Sequence, residues 1–298
     1  MNASNDLKEI EALRALLASR PRPVGWAERR LRLDGVGALT PVAADITLTA
    51  ADVDGVRGEW SLAPGSDASR VLLYFHGGGY CAGSIVSHRR MVTEAGRAAG
   101  IRTLAIDYRL APEHPFPAAL DDAAKAWRWL RRQGIAASRI VVGGDSAGGG
   151  IGLALILHLR AAKEELPAAC WLMSPWTDFT LSSTTLETKD SIDPIIRKDY
   201  LAELIRAYLP AGVDTKDPRV SAVHGDLTGF PPMLIQVGSA ETLLDDAAQL
   251  AAVAGRADVS VALEVWPHMV HVWPLWGDKL TAGREAIANA GAFMRRHL

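Results

Sequence analysis

A mostly parallel β-sheet with helices on both faces is the fold class this sequence predicts, and three observations carry it. Short apolar runs alternate with longer helical stretches along most of the chain, which is the order that winds helices around a parallel sheet. One apolar run, residues 139–143, leads through glycines straight into a helical stretch at 151–159, a strand–turn–helix unit. The segments richest in reactive side chains, 76–79, 144–148, 174–178, 238–241 and 268–271, all follow strand-like runs. In such sheets the ligand crevice opens at the carboxyl ends of the strands.

Taken in order, the elements are as follows. Leu7, Ile10, Leu13, Leu16 and Leu17 recur at helical spacing near the start of the chain. Residues 46–49 and 56–62 read as strands, and Val71-Leu72-Leu73-Tyr74-Phe75 as a buried one. A helix at 88–98 leads to a strand at 103–106, and a turn-rich stretch from Tyr108 to Pro117 leads to a helix at 118–132. After the strand at 139–143 and its helix comes a strand at 170–173. Ser/Thr-rich residues 180–185 then precede a helix whose apolar face runs through Tyr200, Leu201, Leu204, Ile205 and Tyr208. Strands at 233–237 and 259–266 alternate with helices at 243–253 and 282–296. Thr242 and Asp245 fit a capping box for the first of those helices.

Composition bounds the function classes. A chain of 298 residues, 49% hydrophobic and 22% charged, predicts one catalytic domain with an α/β core and a small appendage. A net charge of −2 provides no broad basic field, so nucleic acid and membrane surfaces are not expected partners. The Arg-Arg pairs at 29–30, 89–90, 131–132 and 295–296 read as solvated helix faces. No apolar run approaches the roughly 18 residues of a membrane span. The N-terminal residues are acidic where a signal peptide would be basic, so cytoplasmic residence is expected. Cys81 and Cys170 do not make a disulfide framework.

The reactive segments have specific chemistry. Gly144-Asp145-Ser146-Ala147-Gly148 is a GxSxG turn between strand and helix, the arrangement that forces a serine into strained backbone geometry and lifts its hydroxyl above the sheet. Ser146 is the expected nucleophile. His76-Gly77-Gly78-Gly79 follows the strand at 71–75 and presents backbone amides with no side chain in the way. Gly77, Gly78 and Ala147 are therefore the expected oxyanion donors. The same glycines loosely fit a dinucleotide fingerprint, but Gly83 continues the loop where that motif needs a helix. No metal-ligand spacing or phosphate loop is present, and no cofactor is expected. A serine triad in this fold runs serine, acid, histidine along the chain. That order leaves His268 and His271 as candidate bases, with acids near 241 to 245 or at Asp178.

These motifs, together with residues 108–119 and Ser174-Pro175-Trp176-Thr177-Asp178, resemble the hormone-sensitive-lipase family of α/β-hydrolases, the bacterial family IV carboxylesterases, from about residue 44 onward. The resemblance implies the α/β-hydrolase fold, a short-chain serine carboxylesterase acting on a small-molecule ester through an acyl-enzyme, and a small helical cap. The implied division is a cap segment at 1–45, core at 46–178, a second cap segment at 179–212 and core at 213–298. His271-Val272-Trp273 matches the family's histidine motif, and Glu241 stands where the family has an aspartate. Asp178 and Asp245 remain competitors for the acid. Tyr80, Trp176, Ile195 and Trp273 are the expected pocket residues, and a homodimer along the strand near 259–266 is implied. An amidase or drug-ester hydrolase with the same triad, and a non-catalytic small-molecule receptor on this scaffold, are the alternative readings. The receptor lacks the catalytic histidine that this chain keeps at His271.

Overall fold

A computed structural model describes residues 3–20 and 22–298. Met1, Asn2 and Pro21, part of the expected 1–45 segment, lie outside the described residues. An eight-stranded sheet forms the centre, built from β1 (Thr47–Val53), β2 (Val56–Leu62), β3 (Asp67–Phe75), β4 (Ile101–Ile106), β5 (Ile140–Asp145), β6 (Ala169–Met173), β7 (Met233–Gly238) and β8 (Val261–Trp266). Its order is β1-β2-β4-β3-β5-β6-β7-β8. β1 pairs with β2, and β2 with β4, in antiparallel fashion; every later pairing is parallel. The helices are α1 (Ala3–Ala18), α2 (Trp26–Ala38), α3 (Ile85–Ala99), α4 (Ala118–Arg132), α5 (Ala147–Ala161), α6 (Thr185–Thr188), α7 (Lys198–Tyr208), α8 (Leu244–Arg256) and α9 (Thr281–His297).

The pleat of β3 explains how one continuous apolar run supports two cores. Val71, Leu73 and Phe75 join a cluster with α4, α5 and α7, whereas Leu72 and Tyr74 face a second cluster with α3 and α9. Successive side chains point to opposite faces, so a strand covered on both sides reads as uninterrupted hydrophobicity. α1 belongs to the second cluster through Ile10 and Leu13. Glu9 on α1 accepts the Thr281 amide at 2.7 Å and so caps the start of α9.

Three details depart from expectation. The first strand runs to Val53 because Asp54 and Gly55, with φ of 52° and 83°, close a tight hairpin onto β2. α2 has no sequence signal of its own, since charged residues and two glycines hide its apolar spacing. Tertiary contacts hold it instead: Arg30 reaches Glu113 and the Cys81 carbonyl, Asp34 accepts from Ser84, and a Cβ on Gly37 would collide with the Val86 carbonyl. The capping box at α8 is not formed. Thr242 donates to Asp193 through its amide at 2.9 Å, and Asp245 accepts the Thr185 amide at 3.0 Å. Partners from a crossing segment displace the local cap. Among the described residues no helix is long and apolar enough to cross a membrane.

Candidate active site

Ser146 sits between β5 and α5 with φ 52° and ψ −121°, a conformation that side-chain-bearing residues rarely adopt. The turn around it is too tight for anything but glycine at its rear. A Cβ on Gly148 would collide with the Phe75 carbonyl, and one on Gly144 with the Gly148 backbone. The Ser146 amide donates to Met173 O at 2.9 Å, and the Ser146 carbonyl accepts from Trp176 N at 3.0 Å, which pins the turn to the end of β6. Ser146 and His271 both line a cavity of about 920 Å³. α5 begins at Ala147, so that amide lies in the first turn, where helices leave their N–H groups without internal partners.

Glu241 meets the histidine. Its Oε1 lies 3.2 Å from His271 Nδ1, and its Oε2 accepts from Ser174 Oγ at 2.8 Å and from Gly238 N at 3.0 Å. Ser174 Oγ in turn accepts the Val272 amide at 3.1 Å, so one hydroxyl positions both the carboxylate and the histidine loop. Burial pushes His271 toward its neutral form, but the Glu241 carboxylate overcomes that and holds its pKa above the ordinary histidine value. With Nδ1 turned to Glu241, Nε2 is the nitrogen left for a reacting hydroxyl.

The competing acids are engaged elsewhere. Asp178 accepts from Thr180 and Ser182 and faces His224 Nε2 at 3.3 Å. Burial would raise its pKa, and the hydroxyl and amide donors of Ser182 and Thr180 bring it below the usual value. Asp245 is joined to Thr185. His268 is exposed, and its amide donates to Ser239.

The glycine loop at 76–79, expected to hold an oxyanion, requires a correction at one position. The Gly77 amide, expected as a donor to the reaction, donates instead to Asp145 Oδ1 at 3.0 Å. Gly78 and Gly79, with φ of 115° and 64°, are the loop glycines that reach the cavity. Asp145 anchors the loop from behind: it also accepts from Tyr74 Oη at 2.7 Å, and its Oδ2 lies 3.2 Å from His88 Nε2. His76 turns its Nδ1 to the Gly77 carbonyl and stacks on Tyr108 at 4.2 Å; burial, helped by His88, lowers its pKa to about 3.

Of the four expected pocket residues, Trp176 and Ile195 line the cavity. Tyr80 and Trp273 do not. Tyr80 stacks on Tyr208 at 4.0 Å inside the core, and fully buried Trp273 packs on Trp266 with its Nε1 bonded to Ala282 O. An aromatic beside a motif loop has the same sequence signature whichever way it turns. Trp276, Tyr200 and Leu201 line the cavity as well. Sequence reasoning assigned no role to Ser174, Asp145 or Asp193. The first two lie inside quoted motifs, but only contacts across strands give them their work. Arg29, expected on a solvated face, is 9% exposed. Among the described residues no group of three or more His, Cys, Asp or Glu is arranged around a metal position.

Comparison with known proteins places the fold in a family. The family model for the alpha/beta hydrolase fold matches residues 72–275. The chain is 45% identical over 237 residues to an acetyl-hydrolase of Streptomyces hygroscopicus, covering 80% of this chain and 79% of the relative. It is 34% identical to an esterase of Acinetobacter venetianus, covering 95% of this chain and 94% of the relative. A crystal structure of an esterase from the bacterial hormone-sensitive lipase family superimposes with a TM-score of 0.94 at 41% identity, covering 97% of this chain and 98% of that one.

Proposed function

The chain belongs to the hormone-sensitive-lipase family of α/β-hydrolases and is a carboxylic ester hydrolase, and from that premise we propose that Ser146 is its nucleophile, His271 its general base and Glu241 the acid that orients the base. His271 takes the Ser146 proton as the oxygen attacks the ester carbonyl, and then gives that proton to the departing alcohol. Water activated by the same imidazole releases the acid from the acyl-enzyme. The amides of Gly78, Gly79 and Ala147 hold the oxyanion, with Gly77 bracing the loop through Asp145. One observation carries the assignment: a buried carboxylate contacts Nδ1 of His271, which shares the cavity with Ser146 in its strained turn and keeps its Nε2 free of any carboxylate contact among the described residues.

The described residues of segments 1–45 and 179–212 act as a cap over this site. Arg29 on α2 joins Glu203 on α7 at 2.8 Å, and residues of both helices line the cavity. Trp176, Trp276 and Tyr200 in that lining favour short acyl chains over long ones. The edge strand β8, with Leu263 and Val265 exposed, is the proposed face of a homodimer. The test is a nitrophenyl-ester chain-length profile. Wild type hydrolyses the butyrate faster than the palmitate, and Ser146→Ala and His271→Ala lose on the order of 10^4-fold or more in kcat. Near-normal turnover by Ser146→Ala refutes the triad, and a preference for palmitate refutes the short-chain assignment.

A further inference from the structure

Six arginines, Arg14, Arg20, Arg22, Arg29, Arg32 and Arg197, line the cavity that holds Ser146 and His271. They come from α1, the connection after it, α2 and the residue preceding α7. The whole chain carries a net charge of −2, so this concentration is local. Two carboxylates share the lining, Asp145 and Asp193, and protein donors occupy both. Asp145 accepts from Tyr74 and Gly77, and Asp193 from the amides of Ile195, Ile196 and Thr242. Arg22, Arg32 and Arg197 pair with the exposed acids Asp199, Glu28 and Asp190.

Arg29 and Arg14 differ from the rest in having buried donors with no hydrogen-bond partner among the described residues. The Arg29 guanidinium lies 4.6 Å from the Trp26 ring and 5.0 Å from the Tyr200 ring. Its Nε donates to Pro23 O and its Nη2 to Glu203, while Nη1 is buried with no hydrogen-bond partner among the described residues. Nε and Nη2 of Arg14 are buried and unpartnered in the same way. A guanidinium does not shed its proton, so an unsatisfied buried N–H is a standing cost that an anionic oxygen relieves. Its planar fork fits the two oxygens of a carboxylate.

Resting on the esterase reading above, we propose that this cavity selects esters carrying a carboxylate away from the scissile carbonyl, and that Arg14 and Arg29 bind that carboxylate. A neutral ester leaves these donors unpaired, so the charged ester gains in binding and the gain appears in KM.

The test compares kcat/KM for two charged probes with their neutral methyl esters. Mono-4-nitrophenyl glutarate places the carboxylate on the acyl side, and 4-butyryloxybenzoate places it on the alcohol side. Wild type prefers at least one charged probe by about ten- to a hundredfold, the range expected of a charge-assisted hydrogen bond. The preference shrinks in high salt. Arg14→Gln and Arg29→Gln bring the ratio toward one, while Arg128→Gln on α4, where Arg128 pairs with Glu164, leaves it intact. Arg29→Gln also breaks the Glu203 contact; Arg14→Gln loses no hydrogen bond among the described residues and decides the test if the other variant does not fold. A wild-type ratio near one for both probe pairs, or a ratio that survives in Arg14→Gln, overturns the proposal. Failure to hydrolyse any of the four esters, charged or neutral, overturns the esterase reading and this proposal with it.

Discussion

Glu241 is held by Ser174 and Gly238 before it meets His271, so the imidazole receives its orientation from a carboxylate that cannot swing. That carboxylate also raises the His271 pKa above the ordinary value. In the proposed mechanism His271 acts as a base in its neutral form, so kcat/KM should rise with pH through a limb lying above about 6.5. In Glu241→Gln the raising charge is gone while burial remains, so the limb moves to lower pH. Loss of the oriented tautomer costs roughly 10^4-fold in kcat, by analogy with the equivalent change in a serine protease. A pH–rate profile of the two proteins checks both, and an unmoved limb would detach Glu241 from His271. At this scale Ser146 was legible because its strained turn is encoded within five consecutive residues. The acid was not: Glu241, Asp178 and Asp245 have similar chemistry, and only the partners of each carboxylate separate them.

Asp246, in the first turn of α8, ties that helix to the loop after β6. It accepts the amides of Thr177 and Asp178 at 2.9 and 3.0 Å and the Ser183 hydroxyl at 2.6 Å. Burial pushes its pKa up to about 7, with Asp178 adding to the rise and the three donors opposing it. The folded value lies above the unfolded one, so the native state binds the extra proton. Stability on this account is complete below about pH 4 and declines as pH rises through about 7, by up to roughly 1.4 kcal/mol per pH unit. Asp246→Asn keeps a neutral group with an oxygen for the amides and should flatten that decline. Urea unfolding of both proteins between pH 5 and 8 checks it, and parallel curves would exclude Asp246 as the source. Among the elements, α4 was legible to its ends because its apolar face is strongly periodic. α2 was not, because its stability comes from Arg29, Arg30 and Asp34 reaching other segments.

Across the whole molecule, the sheet ends at β8, where Leu263 and Val265 are 38% and 46% exposed beside unpaired backbone groups of an edge strand. If two copies join along this edge, Val265→Lys places like charges across the seam and should shift wild-type dimer to monomer in sizing chromatography without loss of fold. A wild type that elutes as a monomer would refute the dimer.

The sequence by itself determined the alternation of strand and helix, the serine turn and the glycine loop, because each depends on residues adjacent in the chain: an apolar period, or a glycine where a Cβ would collide. The tertiary structure decided which carboxylate faces His271, which glycine amide is already bonded to Asp145, which tryptophan turns into the core, and where the cavity's arginines gather. Those outcomes depend on distances between segments that are far apart in the chain. No local pattern encodes them, because a hydrogen bond or a buried charge is defined by the partner that folding brings to it.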